Sequence, residues 1–410
     1  MTSRRVAVTG LGAVSALGGD MPSTWQAAKD GVNGIAKVFL DPGQYGPPGR
    51  EWLVGQVKGD TQATLEALLD KRLGASLDPF ALFSLKAAHE ALTAAGLIGS
   101  DALAKGGVVF GHGIGGLTTQ EKAYERFFGM KASKVHPLTV PRVMVSAPAS
   151  AIAMEFGMKG PVFAVSSACS SSGHAMGQGM MLIESGRADV VVVGGGEALI
   201  TPADMLCWEG IQATSQTAIR PFSAGRDGMV IAEGAAAMVL ESFEHAQRRG
   251  AKILAELSGF GMSSDAAHLT QPALDGAMSS MTQACSQAGV LEAENILIAA
   301  HGTGTPLNDK NEAEAIRQVF GARAAGHPLT ATKSSHGHLI GATTALQAVI
   351  GLEALREGLA PAILNYEALD PDCAGLDLVL EKARPIDSRV LMVNSFAFGG
   401  LNTSLVFKAA

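Results

Sequence analysis

The chain has 410 residues, 47% hydrophobic and 17% charged, with 50 glycines and a formal net charge of −7. That length predicts two domains or two fused halves, and the composition fits a well-buried α/β enzyme and excludes a disordered chain. The acidic balance argues against nucleic acid as the main partner, and four scattered cysteines (Cys169, Cys207, Cys285, Cys373) suggest neither a disulfide framework nor a zinc site. With no visible signal peptide and no unbroken apolar run of about 18 residues, the expectation is a cytoplasmic protein without membrane insertion.

Val6 to Ser15 reads as a strand followed by a glycine turn at Gly10-Leu11-Gly12. The third glycine and the acidic partner of a dinucleotide fingerprint are missing, so the turn is structural. Residues 41–50 form a loop, and residues 78–97 a helix with Leu82, Leu85, Ala88, His89 and Leu92 on one stripe, where His89 reads as a core histidine. Gly107 to Gly116 is a strand running into a glycine-rich bend. Residues 121–145 mix basic and aromatic side chains with prolines, an excursion suited to a subunit interface or partner contact.

Pro161 to Gly173 begins as an apolar strand and turns sharply into a helix that ends near Gly186. Three glycines inside that helix (Gly173, Gly177, Gly179) cost roughly 1 kcal/mol each relative to alanine, which predicts close packing on all sides. Cys169 falls at the helix N-terminus, where free N–H groups and the helix dipole lower a thiol's pKa. An isolated cysteine commonly is a buried structural residue; the strand–elbow–helix setting points towards a nucleophile. The C-terminal half decides between the two.

Asp189 to Gly196 reads as a strand covered on both faces, completing a right-handed βαβ unit. Arg220 to Gly228 is turn-rich, another strand starts at Ala235, and Glu244 to Gly250 is a charged helix end dividing residues 1–250 from 251–410. Beyond it the pattern repeats: Leu297 to Gly302 matches residues 6–12, and Val390 to Phe396 matches residues 107–116. This implies an internal duplication.

Three further stretches carry residue types that a cysteine nucleophile needs. They are His301-Gly302-Thr303-Gly304-Thr305-Pro306, where a histidine ends a strand; Thr332-Lys333-Ser334-Ser335-His336-Gly337-His338, before a helix from Leu339 to about Arg356; and the glycine loop Asn394-Ser395-Phe396-Ala397-Phe398-Gly399-Gly400. Ligands of open α/β sheets bind at such strand ends. Singly these are a capping histidine, a solvated lysine and two core phenylalanines; with Cys169 they form a constellation.

Ala168-Cys169-Ser170-Ser171, the His301–Pro306 stretch, Lys333 with Gly337-His338, and Asn394–Gly400 resemble the elongating β-ketoacyl-acyl-carrier-protein synthases, with smaller matches along the whole chain. The resemblance implies a thiolase-like α/β fold: two duplicated halves in five αβαβα layers, as a homodimer or a heterodimer with a paralogous subunit. It implies that Cys169 takes an acyl group from acyl-carrier protein, with its own N–H and that of Phe398 as oxyanion hole. His301 and His338 then promote decarboxylation of malonyl-carrier protein, and Lys333 holds the histidine loop. Thr303 and Thr305 are implied to bind the phosphopantetheine arm, Thr270, Phe396, Gly399 and Gly400 to bind substrate, Phe398 to gate entry of the second substrate, and Ile114 to line the acyl pocket. No bound cofactor or metal is implied, and His336 supports the loop. A non-catalytic chain-length subunit is the rival from another class; thiolases and initiating synthases are disfavoured by the His301/His338 pair. Lys71, Arg72, Arg126, Lys131 and Lys134 are candidates for docking the carrier protein. Where the family usually has Glu, Ala-Gly, Gly and Thr, this chain has Gln347, Thr343-Thr344, Ala397 and Leu401. The change at Gln347 would leave Lys333 without a local anion. The resemblance implies chain elongation in fatty-acid or related polyketide synthesis; the departures are either neutral drift in an ordinary fatty-acid enzyme or the mark of the alternative, a specialised acyl-chain pathway of nodulation-factor or aryl-polyene type.

Overall fold

The computed structural model describes residues 4–59 and 76–410, so Lys71 and Arg72 lie outside the described residues. The first half runs β1 (Val6–Val14), α1 (Pro79–Ala94), β2 (Gly107–Gly111), α2 (Ala147–Phe156), β3 (Val162–Val165), α3 (Ser171–Glu184), β4 (Val190–Glu197) and β5 (Gly234–Ser242). The second half repeats that order: β6 (Ala255–Ser264), α4 (Leu274–Ala288), β7 (Leu297–Ala299), α5 (Pro306–Phe320), β8 (Pro328–Thr330), α6 (Thr343–Glu357), β9 (Val390–Ala397) and β10 (Leu401–Ala409). From the centre outwards the strands lie β1-β5-β4-β2-β3 on one side and β6-β10-β9-β7-β8 on the other. β1 and β6 pair antiparallel and join the halves; Asp377–Leu378 adds an edge strand, giving an 11-stranded sheet. In each half the second strand pairs parallel with the third and fourth.

Alternation along the strands sets the layers. Val190 and Val192 of β4 face a cluster with α1, while Val191 and Val193 face the cluster containing α3 and α6. In β7, Leu297 and Ala299 point to that same inner cluster and Ile298 to the cluster containing α4 and α5. The two central helices are therefore shared by both halves and the others lie outside, which is the expected five-layered αβαβα arrangement. α6 is buried from Thr343 to Leu352 and ends at Gly358 in the left-handed region (φ +64°).

The glycines of α3 explain its close fit. A Cβ on Gly173 would meet Thr403 Oγ1 at 2.3 Å, on Gly177 the Phe260 ring at 2.4 Å and on Gly179 Val193 at 2.3 Å. The packing is not complete on all sides, because Met181 is 46% exposed on the outer stripe.

Two expectations are corrected. Gly10 and Gly12 form no turn: β1 continues through them, with a register shift between Val8 and Gly10, and added Cβ atoms would meet the carbonyl oxygens of Ala91 and Ala87 at 2.0 and 2.1 Å. Alternate glycines on one strand face form a bare track for α1. Gly259 and Gly261 of β6 do the same under Ala284 and Ser280 of α4. The duplication is also in a different register: β1 corresponds to β6, β2 to β7 and β4 to β9. In addition, the last long helix begins at Thr343, after a 3₁₀ turn at Ile340–Ala342. Among the described residues no helix is long and apolar enough to cross a membrane.

Candidate active site

The duplication brings the N-termini of α3 and α6 together. Cys169 precedes α3, and Lys333 and His338 precede α6, at corresponding places in the two halves. Thr344 Oγ1 donates to the Cys169 carbonyl (3.1 Å), and the Ala345 N–H to Ser172 Oγ (3.0 Å).

Cys169 sits on a strained elbow, since Ala168 has φ +50°. Serines brace it. Ser167 N–H donates to Ser171 Oγ (2.9 Å), which donates to Ala168 O (2.7 Å). Ser170 Oγ donates to Leu401 O (2.7 Å) and to Ser395 O (3.0 Å). Ser395 Oγ donates to Cys169 O (2.9 Å). The thiol itself departs from expectation: burial pushes it up to about 11, against the pull of Lys333 and of the Phe398 and Cys169 N–H groups. The helix terminus does not outweigh desolvation.

His301 follows β7, where its N–H and that of Gly302 donate to the two oxygens of Glu312 (2.7 and 2.8 Å). Lys333 Nζ is fully buried; it bonds His301 O, reaches His301 Nδ1 at 3.3 Å and donates to Gln347 Oε1 at 2.7 Å. The ammonium can only donate, so Nδ1 is an acceptor and the His301 proton lies on Nε2. His338 Nδ1 receives the Ile340 N–H (3.2 Å) and lies 2.8 Å from Thr343 Oγ1, which places its proton on Nε2 as well. His338 Nε2 has no protein partner. The two rings stand 5.6 Å apart, edge to face. Burial and the Lys333 charge hold both imidazoles well below their usual range, so they are neutral.

Glu312 was missed in the sequence; its signal is a buried acid one helical turn beyond Asp309, in the helix after the His301 loop. Among the described residues no carboxylate lies within ion-pair distance of Lys333, whose partners are His301 and Gln347; burial lowers the lysine, the more distant Glu312 charge raises it, and burial raises the Glu312 carboxyl to about 7. Gln347 supplies a neutral acceptor and donates onward to Ala300 O.

A cavity of about 360 Å³ opens onto this centre. Of the residues singled out, Cys169, His301, His338, Thr270, Thr303, Thr305, Phe396, Phe398, Gly399 and Gly400 line it. Thr303 and Thr305 hydroxyls lie 2.9 Å apart, and Phe396 stands edge-on to His301. Phe398-Gly399-Gly400 caps the β9–β10 hairpin with both glycines at positive φ (+81° and +70°), tied by Gly399 N–H to Leu269 O (2.7 Å). Ile114 does not reach the cavity and is 40% exposed. His336 lies outside it too, bonded to Thr332 Oγ1 at 3.0 Å. Arg126, Lys131 and Lys134 are exposed on the excursion.

Among the described residues, Cys169, His301 and His338 are the group whose donor atoms cluster as a metal site would, within 4.8 Å. With both Nδ1 atoms engaged, the histidines turn N–H groups rather than lone pairs to the cavity. Such a pair suits an oxygen that gains negative charge beside a thiol, the chemistry of acyl transfer and enolate formation.

The family description "Beta-ketoacyl synthase, N-terminal domain" matches residues 3–246, and "Beta-ketoacyl synthase, C-terminal domain" residues 254–367. Nodulation protein E of Rhizobium meliloti (strain 1021) is 40% identical over 407 residues, covering 99% of each chain. The 3-oxoacyl-[acyl-carrier-protein] synthase 2 of Staphylococcus aureus (strain COL) is 36% identical over 415 residues, covering 99% of this chain and 98% of that protein. Among solved structures, the ishigamide ketosynthase/chain length factor superposes with a TM-score of 0.89 at 30% identity, covering 100% of both chains.

Proposed function

The chain belongs to the β-ketoacyl synthase family, and from that premise we propose how its own residues carry out the condensation. The enzyme is an acyltransferase that condenses an acyl group with malonyl-acyl-carrier protein, releasing CO2 and a 3-oxoacyl chain two carbons longer. Cys169 Sγ attacks the thioester of acyl-carrier protein; a C–S bond forms, and the thiol proton leaves with the departing phosphopantetheine thiol. The Cys169 and Phe398 N–H groups stabilise the tetrahedral oxyanion. Malonyl-carrier protein then loses CO2, and the Nε2–H groups of His301 and His338 hold the enolate oxygen. The enolate carbon attacks the acyl-Cys169 carbonyl, the new C–C bond replaces the C–S bond, and the released thiolate takes a proton from water.

The observation that carries this reading is the pair of neutral Nε2–H donors at the thiol, each fixed by what its Nδ1 accepts. Lys333 with Glu312 positions His301. Thr303, Thr305 and Thr270 receive the arm, and Phe398 with Gly399 and Gly400 gates entry. Residues 1–250 bring the nucleophile, and 251–410 the histidines and gate. The acyl chains arrive on acyl-carrier protein in the cytoplasm, and the enzyme needs no cofactor of its own. The complete Cys-His-His set supports a catalytic rather than a chain-length subunit. Cys169→Ala should yield no 3-oxoacyl product from acyl- and malonyl-carrier protein; normal turnover would refute the assignment.

A second subunit belongs to the proposal. Among the described residues β3 is the sheet edge of the first half, with Phe163 36% exposed, and Phe127, Phe128 and Met144 of the excursion are more than half exposed. An unpaired edge and exposed apolar side chains in the same half support pairing with a like or paralogous chain, whose contact would cover Ile114.

The similarity to nodulation protein E favours a specialised reading over general fatty-acid elongation. Competing a saturated medium-chain primer against a polyunsaturated or aryl-primed one on carrier protein decides it: preference for the saturated primer would leave general elongation standing.

A further inference from the structure

Thr343 and Thr344 open α6 with their side chains fully buried, 1% exposed each, and each hydroxyl reaches a different member of the reacting centre. Thr343 Oγ1 lies 2.8 Å from His338 Nδ1, which already receives the Ile340 N–H at 3.2 Å. A ring nitrogen facing an N–H donor presents its lone pair, so the hydroxyl donates as well. The ring is thereby held by two donors on one side, and its other nitrogen, without a protein partner, faces the cavity. Ile340 delivers its N–H from a left-handed backbone (φ +42°) that a side chain rarely adopts, so that donor alone is a strained anchor. Thr344 Oγ1 donates to the carbonyl of Cys169 at 3.1 Å, which also accepts from Ser395 Oγ at 2.9 Å.

Valine would fill either place with the same shape and the same stiff χ1. What threonine adds is one donor aimed at the histidine and one aimed at the nucleophile's peptide. Two successive residues of a rigid helix turn thus span the boundary between the halves and connect His338 to Cys169.

We propose that Thr343 and Thr344 are positioning residues that keep the two steps of condensation in register, Thr343 by fixing His338 as an Nε2–H donor and Thr344 by fixing the Cys169 peptide. The inference rests on the condensing role assigned above to Cys169 and His338. Thr343 acts at decarboxylation, where the histidine donates; Thr344 acts at acylation, where the Cys169 N–H and sulphur must meet the thioester together.

Single-turnover assays separate the two steps. Thr343→Val should slow malonyl-carrier-protein decarboxylation about five- to tenfold, the size of one lost hydrogen bond, with acylation of Cys169 changed less than about twofold. Thr343→Ser should restore the rate. Thr344→Val should show the opposite split. Spectra of the full chain labelled with ¹⁵N-histidine, with His338 identified by its loss in His338→Gln, supply a readout that packing alone would not move. Thr343→Val should shift the His338 Nδ1 resonance away from that of a doubly hydrogen-bonded acceptor. Unchanged His338 resonances, or Thr343→Val matching the unsubstituted enzyme in both half-reactions, would overturn the proposal. If the unsubstituted enzyme formed no Cys169 adduct, the functional reading would fall, and the histidine spectra would still decide Thr343.

Discussion

Burial raises the Cys169 thiol to about 11, while Lys333 and two N–H groups pull it back without prevailing. The free enzyme therefore rests as a thiol, and a negative charge appears at sulphur only as the thioester is attacked. The thiolate is the reactive form, so raising the pH must increase reactivity until that pKa is passed. Carboxymethylation of Cys169, followed on its own peptide because Cys207 is exposed and will also react, should climb roughly tenfold per pH unit between 7 and 9. A plateau beginning near pH 7 would show a depressed thiol instead. At the histidines the prediction separates the half-reactions. His301→Ala or His338→Ala removes one enolate donor and should slow decarboxylation roughly 10²–10³-fold, while acylation of Cys169 falls far less. Equal loss of both steps in both variants would contradict their assignment as enolate donors.

At the scale of the element, α3 combines weak helix propensity with very close packing. Gly177→Ala would gain roughly 1 kcal/mol of propensity but drives a methyl onto the Phe260 ring, which lies 2.4 Å from the added Cβ position. Overpacking of a tight core costs about 1–3 kcal/mol, so the variant should unfold at lower urea than the parent; equal or greater stability would mean that the ring gives way freely. This element also shows where sequence reasoning reaches its limit. The apolar strand, the sharp elbow and the helix after Cys169 were legible because they follow from local pattern. So were His301, His338 and Lys333, through motifs with recognisable flanks. Glu312, Ser395 and the hydroxyls of Thr343 and Thr344 were not read as members of the site: Ser395 and Thr344 meet Cys169 only when one half folds on the other, and Glu312 and Thr343 meet His301 and His338 only through the local loop geometry. A polar residue at a helix start reads locally as a cap. The glycine pairs at Gly10/Gly12 and Gly259/Gly261 were visible, but alternate glycines signal a turn and a helix track alike until the neighbouring helix is in place. That ambiguity put the duplication in the wrong register.

Across the whole molecule, the duplicated halves explain why one active centre uses both. Each half sends a helix to the middle layer, and the two helix starts meet where Cys169 and His338 face one cavity. Neither half holds the complete set, which ties the chemistry to the pairing of β1 with β6. The central claim is that Cys169 carries the growing chain and that the histidines of the other half drive its extension. Intact mass measurement tests it most directly: the enzyme is incubated with acyl-carrier protein, freed of excess, and then given malonyl-carrier protein. The account predicts one acyl adduct, located on the Cys169 peptide, that disappears on the second addition as 3-oxoacyl-carrier protein and CO2 form. An adduct elsewhere, or one that malonyl-carrier protein leaves in place, would contradict it.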